Sequence, residues 1–348
     1  MSMKGNKKET RKTVPVFFAA DENYMPFLAV ALTSMKAKLS KEYLYQIHVL
    51  YTGKLCKNAK TVKEMETENF RIHFVDISEK IDAITHLIHC RDYYTSAIYY
   101  RLFIPELFPQ YEKAIYLDCD TVVLRDIAEL YEIDIKDNFI GAVADQAVAA
   151  IAPFREYTKY ALGIESEKYF NSGVIVMNLE QMRAIRFYDV FSKILGSYDF
   201  IVAPDQDCLN LICKDKVYYL EATWNTMPTG AIADEGNLKL IHYNLSMKPW
   251  HYDNVLYQNY FWDFAKQTPF YDAIVAKRAA FTAEDAKRDE EEGERLIALA
   301  QAEADSPCNY LCSQEKKRKN QAQETENEGG RYGFIEGFTR KTSGIKAD

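Results

Sequence analysis

The chain has 348 residues, of which 48% are hydrophobic, and it carries a formal net charge of -8. These values predict a folded protein with a substantial core and exclude a wholly disordered chain. Because non-specific nucleic-acid binding needs a broad basic surface, the negative charge argues against a nucleic-acid partner for the whole protein.

The first part of the chain alternates apolar runs with amphipathic segments. Strands are predicted at Val14–Ala20, Ile47–Tyr51 and Arg71–Ile77. Apolar residues recur at helical spacing from Leu28 to Leu39, and the widely spaced apolar residues of Lys54–Asn69 predict a surface helix. This alternation predicts an α/β fold whose parallel sheet is built from right-handed crossovers.

An apolar run, Ala114–Leu117, leads directly into two acids that are one residue apart. It predicts a strand buried on both faces of a largely parallel sheet, and ligands bind beyond the carboxyl ends of such strands. Because strand side chains alternate, Asp118 and Asp120 can point the same way and share one cation. The alternative is a surface turn with two solvated acids.

The predicted elements around this pair continue the pattern. Helices are predicted at Thr95–Pro105, Ile127–Tyr131, Arg186–Leu195 and Cys208–Cys213, and strands at Phe139–Ala144, Val174–Leu179, Val217–Leu220 and Lys239–His242. Arg101, in the first of these helices, is either a core-edge residue or an anion ligand.

Polar residues lie at the ends of several predicted elements: Asp21, Asp118, Asp120, Asp145, Asn171, Asp205 and His242. Their convergence at one edge of the sheet favours a functional site. Three positions also have purely structural interpretations. Tyr24 could start a helix, Asn171 could cap a turn before Gly173, and Asp205 could be a helix N-cap.

The chain changes character after Trp250. Residues 251–281 are aromatic and predict packing onto the domain, whereas Thr282–Ala304 predicts an exposed helix with Thr282 as N-cap and Asp285 three positions on. From Asp305 the chain is polar, with a basic run (Lys316–Lys319) and an aromatic tail (Tyr332–Phe338). A solvated tail is favoured, with docking to an anionic membrane surface as the alternative.

The cysteines and the N-terminus predict a cytoplasmic protein. The seven cysteines are odd in number and form no C-x-x-C pair, which is typical of reduced thiols. Cys308 and Cys312 are close in sequence, but no histidine follows them, so free thiols are favoured over a metal site. The polar segment Met1–Thr13 precedes no secretory h-region, and no apolar run has the length of a membrane span.

A series of motifs between about residues 14 and 250 resembles glycosyltransferase family 8, the retaining sugar-nucleotide enzymes that include glycogenin and bacterial lipooligosaccharide galactosyltransferases. The motifs are FAADENY (Phe18–Tyr24), YYRL (Tyr99–Leu102), YLDCDTVV (Tyr116–Val123), FNSGVIVMNL (Phe170–Leu179), DQDCLN (Asp205–Asn210), WNTMPT (Trp224–Thr229) and HYNLSMKPW (His242–Trp250). The resemblance implies a GT-A fold, which is Rossmann-like with a mixed, mostly parallel sheet flanked by helices, here with a helical C-terminal extension. The expected divisions are a disordered N-terminus (1–12), a catalytic domain (13–250), a packed segment (251–281) and a helical, polar extension and tail (282–348).

The resemblance also implies a UDP-sugar donor and a divalent metal, Mn²⁺ or less readily Mg²⁺, held by Asp118, Asp120 and His242. A ligand set that contains a histidine nitrogen admits Mn²⁺, whereas an all-oxygen set favours Mg²⁺ or Ca²⁺. Lys248 would bind the pyrophosphate. The other implied donor-site residues are Ala19 and Cys119 beside the nucleotide, Asp21 and Asn23 on uracil or ribose, Tyr24 stacked on the base, Arg101, Asn171 and Asp205 on the donor sugar, and Asp145 nearer the acceptor.

Family precedent places Gln206 beneath the anomeric carbon of the donor. Because an amide is a poor nucleophile, front-face substitution is favoured, and Asp207 is the reserve nucleophile for double displacement. Leu245 departs from the family pattern, which commonly has glycine where the backbone approaches phosphate.

The expected function is transfer of glucose or galactose from UDP to a hydroxyl of a carbohydrate or lipid-linked glycan. A catalytically weak or inactive protein that binds nucleotide or glycan, or acts as a scaffold, is the alternative. A metal-dependent phosphohydrolase or nucleotidyltransferase is a third class. Membrane contact, if any, is expected to be peripheral and through the C-terminal tail.

Overall fold

The computed structural model describes residues 11–55, 57–88, 95–228 and 234–320. The strands are β1 (Lys12–Ala19), β2 (Tyr43–Tyr51), β3 (Phe70–Asp76), β4 (Lys113–Leu117), β5 (Thr121–Val123), β6 (Ile140–Ala144), β7 (Phe170–Asn178), β8 (Val217–Tyr219) and β9 (Leu240–His242). The helices are α1 (Met25–Lys36), α2 (Lys57–Lys63), α3 (Ser78–Ile84), α4 (Ile104–Leu107), α5 (Ile127–Glu132), α6 (Gln146–Ala150), α7 (Ala152–Glu156), α8 (Leu179–Ala184), α9 (Phe187–Leu195), α10 (Pro204–Cys213), α11 (Gln258–Ala265), α12 (Tyr271–Ala280) and α13 (Ala283–Asp305). Shorter helical turns of other types occur at Ser96–Phe103, Tyr157–Leu162, Ser166–Lys168, Ala222–Trp224 and Glu235–Asn237.

The main sheet is mixed and mostly parallel, as predicted. Its strand order in the described residues is β3-β2-β1-β4-β7-β6-β8. β7 pairs antiparallel with both of its neighbours, whereas the other pairs in this sheet are parallel. A separate antiparallel pair, β5 with β9, lies just after the end of β4. Helices cover the sheet, which confirms the predicted α/β class.

The central strands are buried because each of their faces contributes to a different apolar core. Val16 and Phe18 of β1 belong to one core, and Phe17 between them belongs to the other. All three are 0% exposed. Full burial of a side chain of this size contributes about 1.5–3 kcal/mol. The short apolar runs thus predict two-sided strands correctly.

Several predicted boundaries are wrong. The strand predicted from Val174 starts at Phe170, so the Asn-Ser-Gly segment lies inside β7 and is paired. The helix predicted from Cys208 starts at Pro204 because proline suits the first helical turn, and Asp205 is therefore not its N-cap. The predicted surface helix at Lys54–Asn69 is limited to α2.

The C-terminal helix forms as predicted but is not free in solvent. The capping box between Thr282 and Asp285 is present. α13 packs against α7 and Tyr157–Leu162, and Tyr252 donates a hydrogen bond to Asp289 Oδ2 at 2.8 Å. The chain is helical again over residues 310–320, where a solvated tail was predicted, and the aromatic tail lies outside the described residues. No helix in the described residues combines the length and apolar composition needed to cross a bilayer.

Candidate active site

Asp118 and Asp120 lie in the turn between β4 and β5. The pairing of β5 with β9 places His242 opposite Thr121. His242 Nε2 lies 3.2 Å from Asp120 Oδ1 and 3.7 Å from Asp118 Oδ2. One potential ligand atom from each of these three residues lies within 4.8 Å of the others. The two carboxylates therefore converge through a turn, not through the strand alternation that the sequence suggested.

A chain of hydrogen bonds orients His242. Asp145 Oδ2 can only accept, so Asn171 must turn its amide nitrogen toward it, at 3.0 Å. Asn171 Oδ1 then accepts from Asn225 Nδ2 at 2.9 Å, which leaves Asn225 Oδ1 facing His242 Nδ1 at 3.0 Å. His242 Nδ1 can therefore donate to Asn225 Oδ1, and its Nε2 is the ring nitrogen that faces Asp118 and Asp120.

These residues fit a divalent cation. Asp120 Oδ1 is buried without a hydrogen-bond partner among the described residues, and it lies 3.2 Å from His242 Nε2. A carboxylate oxygen and an imidazole nitrogen are both ligand atoms that a divalent transition metal such as Mn²⁺ accepts. Gly173 makes room for the group, because a Cβ at this position would lie 2.3 Å from His242 Cε1 and 2.5 Å from Asp118 Oδ2.

Arg101 is a buried, ion-paired residue and not a core-edge residue whose head group reaches water. Its side chain is 4% exposed, and it lies 2.9 Å from Asp118 and 3.4 Å from Asp205. It donates to the Ser172 carbonyl at 2.5 Å and stacks on the Tyr116 ring at 4.3 Å. Burial lowers the pKa of Arg101, but the surrounding carboxylates and Tyr116 outweigh burial and raise it. Arg101 therefore contributes a fixed positive charge.

The three residues at the start of α10 have different environments. Asp205 and Gln206 line the cavity, whereas Asp207 is 0% exposed and lies outside its wall. Gln206 Oε1 accepts from the Ser172 amide at 2.9 Å, and its amide nitrogen donates to Asp145 Oδ2 at 3.1 Å. Burial raises the pKa of Asp205 to about 6, although Arg101 opposes the shift.

Asp207 points into the protein, away from the cavity. It accepts hydrogen bonds from Tyr169 at 2.6 Å and Tyr157 at 2.7 Å. Burial raises its pKa to about 7, against the lowering effect of these two hydroxyl groups. Its position argues against a role as reserve nucleophile.

The predicted nucleotide end of the site is only partly assembled around the cavity. Ala19, Asp21, Tyr24 and Cys119 line it, whereas Asn23 is exposed and outside its wall. Asp21 Oδ1 accepts from the Asn23 and Tyr24 amides at 2.9 and 3.0 Å, which fixes this turn. Cys119 Sγ donates to the Ala19 carbonyl at 3.1 Å and ties the acidic turn to the end of β1.

Lys248 and Leu245 occupy the loop after β9. Lys248 is 7% exposed and bonds Asp120 Oδ2 and, at 2.5 Å, the Tyr243 carbonyl. Burial raises the pKa of Asp120, but Lys248 and His242 outweigh burial and bring it below its ordinary value. Leu245 has φ of 55° and is 44% exposed. The loop therefore keeps the left-handed backbone that glycine favours, despite the leucine side chain.

A cavity of about 390 Å³ joins these groups. It extends from Asp21 and Tyr24, past the acidic turn, to α6, α7 and α13. Sequence reasoning missed Tyr116, Ser172, Gly173 and Asn225 as site residues. The motifs contain all four, but their roles depend on contacts between distant segments.

Comparisons with known proteins agree with this geometry. The sequence model of glycosyl transferase family 8 matches residues 15–254. General stress protein A of Bacillus subtilis is 30% identical over 59% of this chain and 71% of its own length. The lipopolysaccharide 1,2-glucosyltransferase of Escherichia coli K12 is 28% identical over 70% of this chain and 74% of its own length. The crystal structure of the galactosyltransferase LgtC with donor and acceptor sugar analogs has a TM-score of 0.63 at 26% identity, and the match covers 74% of this chain and 96% of that one.

Proposed function

Because the chain belongs to glycosyltransferase family 8, as its motifs predicted, we propose that it is a retaining hexosyltransferase that uses a UDP-sugar and Mn²⁺. Its fold is the expected GT-A fold. The observation that carries the proposal is the group Asp118, Asp120 and His242 on the wall of a cavity that also holds Arg101 and Lys248. The similarity to a lipopolysaccharide glucosyltransferase supports a glycan or lipid-linked glycan as acceptor and glucose or galactose as the sugar.

The charge of the site supports a metal-dependent reaction. The cavity wall around the acidic turn contains the carboxylates of Asp21, Asp118, Asp120, Asp145 and Asp205, against the cations Arg101 and Lys248; farther along, α13 adds Asp289, Glu292 and Arg295. A diphosphate would be repelled by this excess of negative charge without a further cation. When bound by Asp118, Asp120 and His242, Mn²⁺ or Mg²⁺ would supply positive charge to the leaving diphosphate. Lys248 would add a point charge to the same group.

Gln206 is proposed to act at the sugar. The bond between the anomeric carbon and the diphosphate breaks, and the acceptor oxygen bonds to the same face of that carbon. The acceptor hydroxyl gives its proton to the departing phosphate oxygen. Oxocarbenium-like charge develops on the sugar, and the Gln206 carbonyl can stabilise it. Ser172 and Asp145 hold the Gln206 amide, which supports an orienting role. The burial of Asp207 favours this front-face route over double displacement.

The test is Mn²⁺-dependent UDP release from a panel of UDP-sugars, with product anomers read by NMR. Release from UDP-glucose or UDP-galactose with retained configuration is expected. Asp120→Asn should abolish the metal-dependent rate while the protein still unfolds cooperatively. If no sugar turns over while UDP still binds, the protein is the non-catalytic alternative. A covalent sugar adduct on Asp207 would refute the front-face route.

The cellular location of the protein is also proposed. We place the protein in the cytoplasm, with any membrane contact peripheral. The free cysteines in the described residues support a reducing compartment; they are Cys119, Cys208, Cys213, Cys308 and Cys312.

A further inference from the structure

α13 forms a wall of the cavity although it lies outside the residues that the family model matches. The match ends at residue 254, and α13 spans Ala283–Asp305. Tyr252 bonds Asp289 in the first half of the helix, and Tyr198 bonds Glu303 near its end. Between these two attachments, Glu292, Gly293 and Leu296 line the cavity. α13 is thus attached near both of its ends, and its middle faces the part of the cavity beside the proposed donor-sugar residues.

Gly293 is the only glycine in this 23-residue helix. Glycine destabilises a helix interior relative to alanine, so a packing or functional reason is expected. Packing does not supply one, because a Cβ at Gly293 would meet nothing within 4 Å. Gly293 is exposed and lines the cavity, so the space beside it is open to a ligand.

Four buried polar atoms of cavity-lining residues have no hydrogen-bond partner among the described residues: Asp120 Oδ1, Asn244 Oδ1, His251 Nδ1 and Glu292 Oε2. Glu292 Oε2 is buried without a hydrogen bond among the described residues. Asn244 Oδ1 is also buried without one, and its residue is 7% exposed and lines the same cavity. Both oxygens are acceptors, and an unsatisfied buried acceptor is costly. The missing partners are hydrogen-bond donors such as hydroxyl groups.

The other residues that line the cavity beside α13 limit the class of ligand that can bind there. Ile151 and Phe154 provide apolar surface, which suits the C–H face of a sugar ring. α13 contributes Asp289, Glu292 and Arg295 to the cavity wall, so this side carries one more carboxylate than cation and disfavours a phosphorylated or carboxylated ligand. A neutral carbohydrate has the required hydroxyl donors, apolar face and absence of charge.

We propose that α13 forms the acceptor-binding wall, where Glu292 accepts a hydrogen bond from a hydroxyl of a neutral carbohydrate and Gly293 leaves space for its ring. This inference rests on the proposed transferase function. It gives the segment after residue 254 a role in choosing the acceptor.

The test measures binding, so it does not depend on turnover. The full chain, loaded with Mn²⁺ and UDP, is titrated calorimetrically with lactose, maltose, cellobiose and the anionic lactobionate. At least one neutral disaccharide should bind more tightly than lactobionate. Glu292→Gln should weaken that binding about tenfold, and Gly293→Trp should weaken it further by filling the space, while the Kd for UDP stays the same. Glu294→Gln and Ala298→Trp, on exposed positions of the same helix, are the matched controls.

Three results would overturn the proposal that α13 forms the acceptor-binding wall. They are UDP binding without binding of any neutral disaccharide, tighter binding of lactobionate than of every neutral disaccharide, and unchanged disaccharide affinity in both Glu292→Gln and Gly293→Trp. Because Glu292→Gln conserves shape, it remains informative even if Gly293→Trp does not fold. Failure of the transferase function is a separate observation, since it appears as absence of UDP release from every UDP-sugar.

Discussion

Gly173→Ala tests the metal site through shape alone. The new Cβ would lie 2.3 Å from His242 Cε1 and 2.5 Å from Asp118 Oδ2, whereas ordinary contact begins at 3.4 Å. The imidazole ring or strand β7 must therefore move by about 1 Å to relieve the contact. Disturbing the groups that orient metal ligands typically costs about 10- to 100-fold in metal affinity or activity. We expect the Mn²⁺ affinity of Gly173→Ala to fall by about this factor, with a matching loss of UDP release.

The control is Gly141→Ala in the neighbouring strand β6. Its Cβ would lie 2.8 Å from Ile135 Cγ2, so it also overfills the core, but it touches no site residue. Each variant should lose about 1–3 kcal/mol of unfolding free energy from overpacking. Calorimetric titration with Mn²⁺ at a temperature where both remain folded separates the two effects. A folded Gly173→Ala protein that binds Mn²⁺ as tightly as the unmodified protein would refute the proposed ligand set.

Three further variants test other parts of the structure. Asn225→Ala removes the acceptor of His242 Nδ1, so Mn²⁺ affinity should fall about 10- to 100-fold in a titration, and unchanged affinity would contradict the orienting role. Leu245→Gly should raise the unfolding free energy by about 1 kcal/mol, because glycine adopts a φ of 55° without strain; a lower value in thermal unfolding would contradict this. Burial raises the pKa of Asp207 to about 7 in the folded protein, whereas an unfolded chain has about 3.9. The stability that protonated Asp207 contributes is therefore complete below about pH 4 and is lost as the pH rises through 7. Asp207→Asn should therefore gain up to about 4 kcal/mol relative to the unmodified protein between pH 4 and pH 8, measured by urea unfolding, whereas a pH-independent difference would refute the shift.

The parts of the site that the sequence predicts are those with a local pattern. The acidic pair follows an apolar strand, and the motif order supplied His242 and Lys248 as partners. Asn225 carries no such signal, because its role arises only when the segment after β8 folds against β7 and β9. Gly173 also has no local signal, because its role depends on how closely its backbone approaches His242 in the folded protein.

In the fold, too, the elements that the sequence predicts are those with a local pattern, and the features that it misses depend on contacts between distant segments. Alternating segments predict β1 to β4 and their helices, because hydrophobic periodicity is a local property. The reversed direction of β7 has no local signal, since its apolar run reads the same in either direction. The packing of α13 was also missed, because a helix rich in charged residues looks exposed while its cavity face carries only a few apolar residues.

The reversal of β7 explains why the proposed metal ligands and the proposed donor-sugar residues are linked. Because β7 runs antiparallel to β4, its N-terminal end meets the C-terminal end of β4, and the Asp118 amide donates to the Gly173 carbonyl at 2.8 Å. Asn171 therefore lies between Asp145 on one side and the residues that orient His242 on the other. The other oxygen of Asp145 caps α6 through the Ala147 and Val148 amides, at 3.0 Å each. One carboxylate thus connects helix α6 to the hydrogen-bond chain that ends at His242, so the position of this helix and the orientation of His242 depend on the same side chain.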